Sequence, residues 1–294
     1  KAYEPREDLQ VTLERYARLF DLAAVGEKVG YPAFVKPYDG GAWVGVSKVD
    51  NELELNAAYD ASGTRLLHLQ RAVLPFDLFV RALGVGPQVS VMRYAPEAPL
   101  HDRYKVDFDF VTAEEWRLLA DTCLTINTFF GWDFNSCEAL RRDGVFHPID
   151  FANACPDSQV TSLHYHFPWL VKAKLRWALF VAATGRRMRK TLDWEPYFAV
   201  AREELPYREK LARYAAIARE RLEADRFEEF CARYLAHLDE VAWEFFGTEV
   251  AREAVRAKVA ALYPAHEVER FTEHFWGLIQ FWCRTEADRL GTGS

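Results

Sequence analysis

An α+β body followed by an all-helical segment is predicted by three observations. Short apolar runs punctuated by Gly, Pro and Asp dominate the first 165 residues. A 3.6-residue hydrophobic period replaces them afterwards. Half of the 294 residues are hydrophobic and 28% are charged, which suits one or two domains with a sizeable core and excludes a disordered or fibrous chain. The predicted division is 1–165 for the α+β body and 166–294 for the helices.

The strand-like runs are 32–37, 43–49, 66–73, 78–84, 88–94, 133–141 and 145–151, each bounded by turn-forming residues. Two helices interrupt them. One covers 51–61. The other covers 112–130, where Thr112-Ala-Glu-Glu115 forms a capping box and Gly131 stands at the left-handed C-terminal cap. Asp143-Gly144 between two strand runs predicts a tight hairpin. Beyond residue 165 helices are expected near 165–184, 206–222, 226–246, 249–262 and 265–290, separated by Gly185, Pro206, Gly247 and Pro264.

Charge excludes one class of partner. The formal net charge is −7, and the first 169 residues carry the excess, with 24 acids against 16 bases. Apart from the short GRRMRK stretch at 185–190 there is no basic surface to follow a nucleic-acid backbone. The five cysteines are odd in number, widely spaced and without a CxxC pair, which fits a reducing cytoplasm better than a disulfide framework or zinc knuckle. The apolar run at 177–184 lies between Lys172, Lys174, Arg176 and Arg186 and is too short to span a bilayer, so no membrane partner is expected.

Three features could carry chemistry. The segment from Phe34 to Val46 reads as a strand holding Lys36, then a turn with Gly40, Gly41 and Gly45, then a second strand. Glycines let backbone N–H groups approach phosphate oxygens, and a lysine adds a point charge; the same pattern also makes an ordinary hairpin. The segment 70–77, Gln-Arg-Ala-Val-Leu-Pro-Phe-Asp, is an apolar strand end that could present backbone groups to a purine edge and Asp77 to a ribose, or simply an edge strand stopped by Pro75. Glu138, Asp150 and Asn153, on adjoining strands, would make a hard oxygen site suited to Mg²⁺. The neighbours His147-Pro-Ile and Phe-Ala place Asp150 in apolar surroundings, against a merely solvated face.

In this order the features resemble the ATP-grasp superfamily, over roughly residues 30–160, similar to the ATP-binding domain of glutathione synthetases and D-alanine ligases. The resemblance implies an ATP-grasp fold, two α+β subdomains clamping a nucleotide, with the helices as a C-terminal extension. It implies ATP and Mg²⁺ as cofactors, and a ligase that activates a small-molecule carboxylate as an acyl phosphate for attack by an amine or other nucleophile. By the same resemblance Lys36 contacts the ATP phosphates, and Gly40, Gly41 and Gly45 form the loop closing over them. Gln70, Ala72 and Val73 belong to the adenine hinge, and Asp77 is the ribose acid. Glu138, Asp150 and Asn153 are the metal ligands, and Arg93 is a phosphate-facing cation. Family members often show Glu-x-Asn, whereas Asp150 and Asn153 have two residues between them, which demands a bulge or a different side-chain aim. Family members also carry an upstream α/β domain and a further lysine before the glycine loop. Lys1 could be that lysine, in which case the upstream domain would be missing from this sequence.

The other sequence features lead less far. His164-Tyr-His166, with Cys155 and His147 upstream, leads into a helix, where His-x-His rings diverge, so substrate contact by the 155–166 loop is favoured over zinc. Arg186, Arg187, Arg189 and Lys190 suit a solvated helix end better than an anion site. The aromatic residues of the tail helices suit core packing or a homodimer. The alternative to a ligase is a catalytically silent nucleotide-binding scaffold whose helical tail binds a protein partner.

Overall fold

The computed structural model describes residues 21–39, 43–63, 65–153, 156–189 and 191–291. It is a mixed α+β protein with a helical C-terminal part. The described residues fall into two compact units that meet in sequence at Pro75 and Phe76.

In the first unit, α1 (Leu22–Val29) is opened by Asp21, whose carboxylate accepts from Ala24 N–H at 3.2 Å. Strands β1 (Ala33–Pro37), β2 (Ser47–Val49) and β3 (Leu67–Arg71) form an antiparallel sheet in the order β2-β1-β3, with α2 (Glu52–Ala61) between β2 and β3. The two-residue period of the strands separates the faces. Ala33 and Val35 join Val49 and Leu55 in the core under the helices, with Leu67 and Leu69 packed against them. Phe34 and Lys36 point the other way.

The second unit begins with an antiparallel sheet in the order β6-β5-β4-β7-β8, made of β4 (Leu78–Val85), β5 (Gln88–Tyr94), β6 (Tyr104–Lys105), β7 (Phe134–Arg142) and β8 (Val145–Asn153). One face packs under α3 (Ala113–Phe130). Leu78, Val80, Ala82, Val91, Cys137, Ala139 and Phe146 meet Leu119 and Cys123 there. The capping box of α3 forms as its sequence requires, and Gly131 closes the helix at φ 72°. Asp143 and Gly144 both take positive φ, 52° and 73°, the geometry of a hairpin turn matched to strand twist. At the far end of β4, Gly86 has φ 54°, and a Cβ there would lie 2.4 Å from the Trp177 ring, so both conformation and space call for glycine.

Helices α4 (Val160–Leu163), α5 (Phe167–Thr184), α6 (Glu195–Arg202), α7 (Tyr207–Arg221), α8 (Ala224–Tyr234), α9 (Leu238–Phe246), α10 (Glu249–Ala260) and α11 (Val268–Leu290) complete the chain. The single helix expected over 226–246 is broken into α8 and α9 at 235–237. The break lets Phe227 pack on Trp177 and Phe180 while Phe246 packs on Phe167 and Trp282, two clusters that one straight rod would not serve. Phe275 and Ile279 are fully buried in the second cluster, each contributing about 1.5–3 kcal/mol through apolar burial. Lys172, 5% exposed, is compensated by Asp239 at 3.1 Å and Glu286 at 2.8 Å, tying α5 to α9 and α11. No helix among the described residues is long and apolar enough to cross a membrane.

Candidate nucleotide and metal site

The face of the first sheet turned away from its helices carries the phosphate-binding candidates. Register pairs Phe34 with Gln70 on one side and Lys48 on the other, and pairs Lys36 with His68, so these side chains share one face. Trp43 folds its ring edge-on to Phe34 at 6.0 Å. Gly45 sits at φ 74°, and a Cβ there would lie 2.9 Å from Pro37 Cγ. The structure thus brings Lys36 and Gln70 to one face and holds the C-terminal end of the glycine turn against β1. Ala72 is buried and donates its N–H to the Pro32 carbonyl at 2.9 Å, and Val73 follows it, half-buried. Lys1, Gly40, Gly41 and Cys155 lie outside the described residues.

In the second unit the face of the sheet opposite α3 carries the metal candidates. Glu138 on β7 lies directly across from Asp150 on β8, and Ser136 across from Asn153. One residue of β7, Cys137, therefore stands opposite two of β8, at 151 and 152, and this is the bulge that the Asp-x-x-Asn spacing allows. A second irregularity follows between Asp150 and Pro148, whose missing N–H cannot serve the ladder. The bulge puts backbone positions 150 and 153 on the same face; the side chain of Asn153 is not among those described.

Two expectations are corrected. Asp150 is exposed, despite its apolar sequence neighbours, because β8 is the outer strand of its sheet. Arg93 pairs in register with Val80 and Lys105 and lies on the α3 side, where it is exposed and bound to Asp107 at 2.6 Å. It does not share a face with Glu138.

The cation beside Glu138 is Arg81, which the sequence reading passed over. It stands in register with both Glu138 and Met92, so the two-residue period points it to the same face as Asp150. Its guanidinium bonds the Glu138 carboxylate, donates to Tyr104 Oη at 2.7 Å and lies 4.2 Å from the Tyr94 ring centroid. Burial opposes its charge, but Tyr104, Glu138 and Tyr94 outweigh burial and hold Arg81 firmly protonated. Burial also pushes the Tyr104 hydroxyl up to about 12, against the pull of Arg81, so it stays a neutral donor and acceptor. A signal was available: one arginine amid Leu78, Phe79, Val80, Ala82 and Leu83 is costly unless it has a partner across the sheet.

Asp77 is exposed at the start of β4. Its Oδ2 accepts from Arg141 at 2.9 and 2.6 Å, and that bond holds the carboxyl below its usual range. Arg141 also reaches Glu115 at 2.8 Å.

Residues 10–66 match the family model described as the D-ala D-ala ligase C-terminus. A D-alanine–D-alanine ligase of Heliobacterium modesticaldum is 34% identical over 132 residues, covering 43% of this chain and 35% of that protein. A D-alanine–D-alanine ligase A of Chromobacterium violaceum is 55% identical over 40 residues, covering 14% of this chain and 11% of that protein. A crystal structure of the D-alanine–D-alanine ligase of Bacillus anthracis superposes with a TM-score of 0.43 at 15% identity, covering 61% of this chain and 69% of that one. The family model and the sequence relatives indicate the ATP-grasp superfamily. Within it, the matched segments are similar to D-alanine–D-alanine ligases, and the chain spans about a third of the length of the first of these relatives and a tenth of the second.

Proposed function

We propose that the protein is an ATP-dependent ligase that joins a small-molecule carboxylate to an amine or similar nucleophile through an acyl phosphate. Residues 1–165 would bind the nucleotide, with 166–294 as a helical extension, and the protein would work in the cytoplasm. The observation that carries the reading is the charged set on one sheet face: Glu138 opposed to Asp150, position 153 beside them, and Arg81 bonded to Glu138.

The donor set fits Mg²⁺, since two carboxylates and an amide supply only hard oxygens. Glu138, Asp150 and Asn153 would hold the ion, which when bound supplies charge neutralisation to the ATP phosphates. The remaining steps belong to the chain. Lys36, on the sheet face turned away from its helices, would pair with a phosphate oxygen, and the glycine turn would approach the phosphates with its N–H groups. Arg81 would orient Glu138 while offering a guanidinium to developing charge on the transferred phosphoryl group. Gln70, Ala72 and Val73 would line the base, and Asp77 would reach a ribose only by exchanging its bond to Arg141. Arg93 is left out of this reading, since it stands on the other side of the sheet.

The test is ADP and phosphate release from ATP and Mg²⁺ with panels of acids and amines. The reading expects release that requires both an acid and an amine, and Mg²⁺-dependent ATP binding that is lost in Lys36→Ala and Asp150→Ala. Unchanged nucleotide affinity in both folded variants would overturn it. ATP binding with no turnover on any matched pair would instead favour the silent scaffold.

A further inference from the structure

On the α3 side of the second sheet two adjoining cavities, of about 530 and 480 Å³, share Trp116 and Trp169 as a common wall. Each falls in the size range of small-molecule sites. Val89 and Val91 form part of the floor, and both belong to the face opposite Glu138 and Asp150, so the space lies across the sheet from the proposed metal ligands. The larger cavity combines the two indoles and Phe227 with Arg176, Arg219 and Glu228.

The chemistry of that lining is selective. Flat aromatic walls favour a flat apolar body. Arg176 and Arg219 are fixed by Asp239 at 2.6 Å and Asp121 at 2.9 Å, acids that do not themselves line the cavity. Glu228 is the one acid lining this cavity, and it is exposed. Two arginines beside two indoles suit an acidic group on an aromatic frame.

We propose that this groove is a second small-molecule site, taking a flat aromatic ligand with a single acidic group. The probe is anilinonaphthalene sulfonate, titrated by fluorescence into the full chain. The expected result is saturable 1:1 binding, unaffected by saturating ATP and Mg²⁺, with the neutral analogue phenylnaphthylamine binding at least about tenfold more weakly. Arg176→Met and Trp116→Ala are each expected to weaken the sulfonate about tenfold, by removing a charge-assisted contact or an aromatic wall. Arg219→Met, at a half-exposed position, serves if Arg176→Met fails to fold. The proposal is overturned by binding that does not saturate, by equal affinity for the neutral analogue, by displacement with ATP, or by unchanged affinity in the folded variants.

Discussion

Acidification from pH 7 to pH 5 should cost the second unit about 3–4 kcal/mol of folding stability, through two histidines in one short turn. His164 is 2% exposed and its Nδ1 accepts from the Tyr165 N–H at 2.8 Å. Burial, then the neighbouring His166 and His274, push it down to about 3, against the pull of Asp102 and the Tyr104 backbone. His166 is pushed down to about 4, by burial first, although its Nε2 lies 3.1 Å from the Lys105 carbonyl. In the unfolded chain both would titrate near 6.5. Between the folded and unfolded values the unfolded chain holds more protons, so stability is complete above about pH 6.5 and falls as pH drops toward 4. At pH 5 each unfolded imidazole is almost fully protonated and each folded one almost fully neutral, which gives about 1.8 kcal/mol per histidine. Burial lowers His274 as well, so it adds in the same direction. The carboxylates of Asp77, Glu115, Asp239 and Glu286 are held low in the fold and lose their contribution only below about pH 4.5, outside this window. Urea unfolding followed by circular dichroism at half-unit steps is the assay, with His166→Gln expected to remove roughly half of the slope. A flat free energy between pH 7 and 5.5 would refute the reasoning.

Other substitutions probe the remaining layers of the structure. Arg81→Met removes the guanidinium bonded to the half-buried Glu138 and should cost about 2–4 kcal/mol in urea unfolding, while Arg81→Met combined with Glu138→Gln should cost clearly less than the sum of the two single changes. Phe275→Ala empties a fully buried site and should cost about 3–5 kcal/mol by the same measurement. Gly45→Ala forces a side chain into a left-handed backbone against Pro37 and should destabilise the first unit by about 1–2 kcal/mol, read as a lower melting temperature.

The sheets, the capped α3 and the hairpin at Asp143 were legible because each rests on local chemistry: alternation, a Thr–Glu box, an Asp-Gly pair. The candidate site was legible only as an order of residue types. What the sequence hid was sidedness. Arg81 and Arg93 are both arginines in strands, and only the register of β4 against β5 and β7 puts one beside Glu138 and the other under α3. Exposure was hidden for a similar reason, since Asp150 has apolar sequence neighbours yet lies on an outer strand. The break between α8 and α9 follows from two distant aromatic clusters that no local window contains. The short α1 and α6 have too few turns for a period to stand out.

The irregular pairing of β8 changes how its sequence should be counted. Along an uninterrupted strand, backbone positions 150 and 153 would have opposite parity. Here the skipped rung brings the two positions back into step. Whether two residues of such a strand can cooperate is thus decided by the rungs they occupy on the neighbouring strand, and a motif defined by a fixed gap would pass over a pair that the ladder has already brought into line.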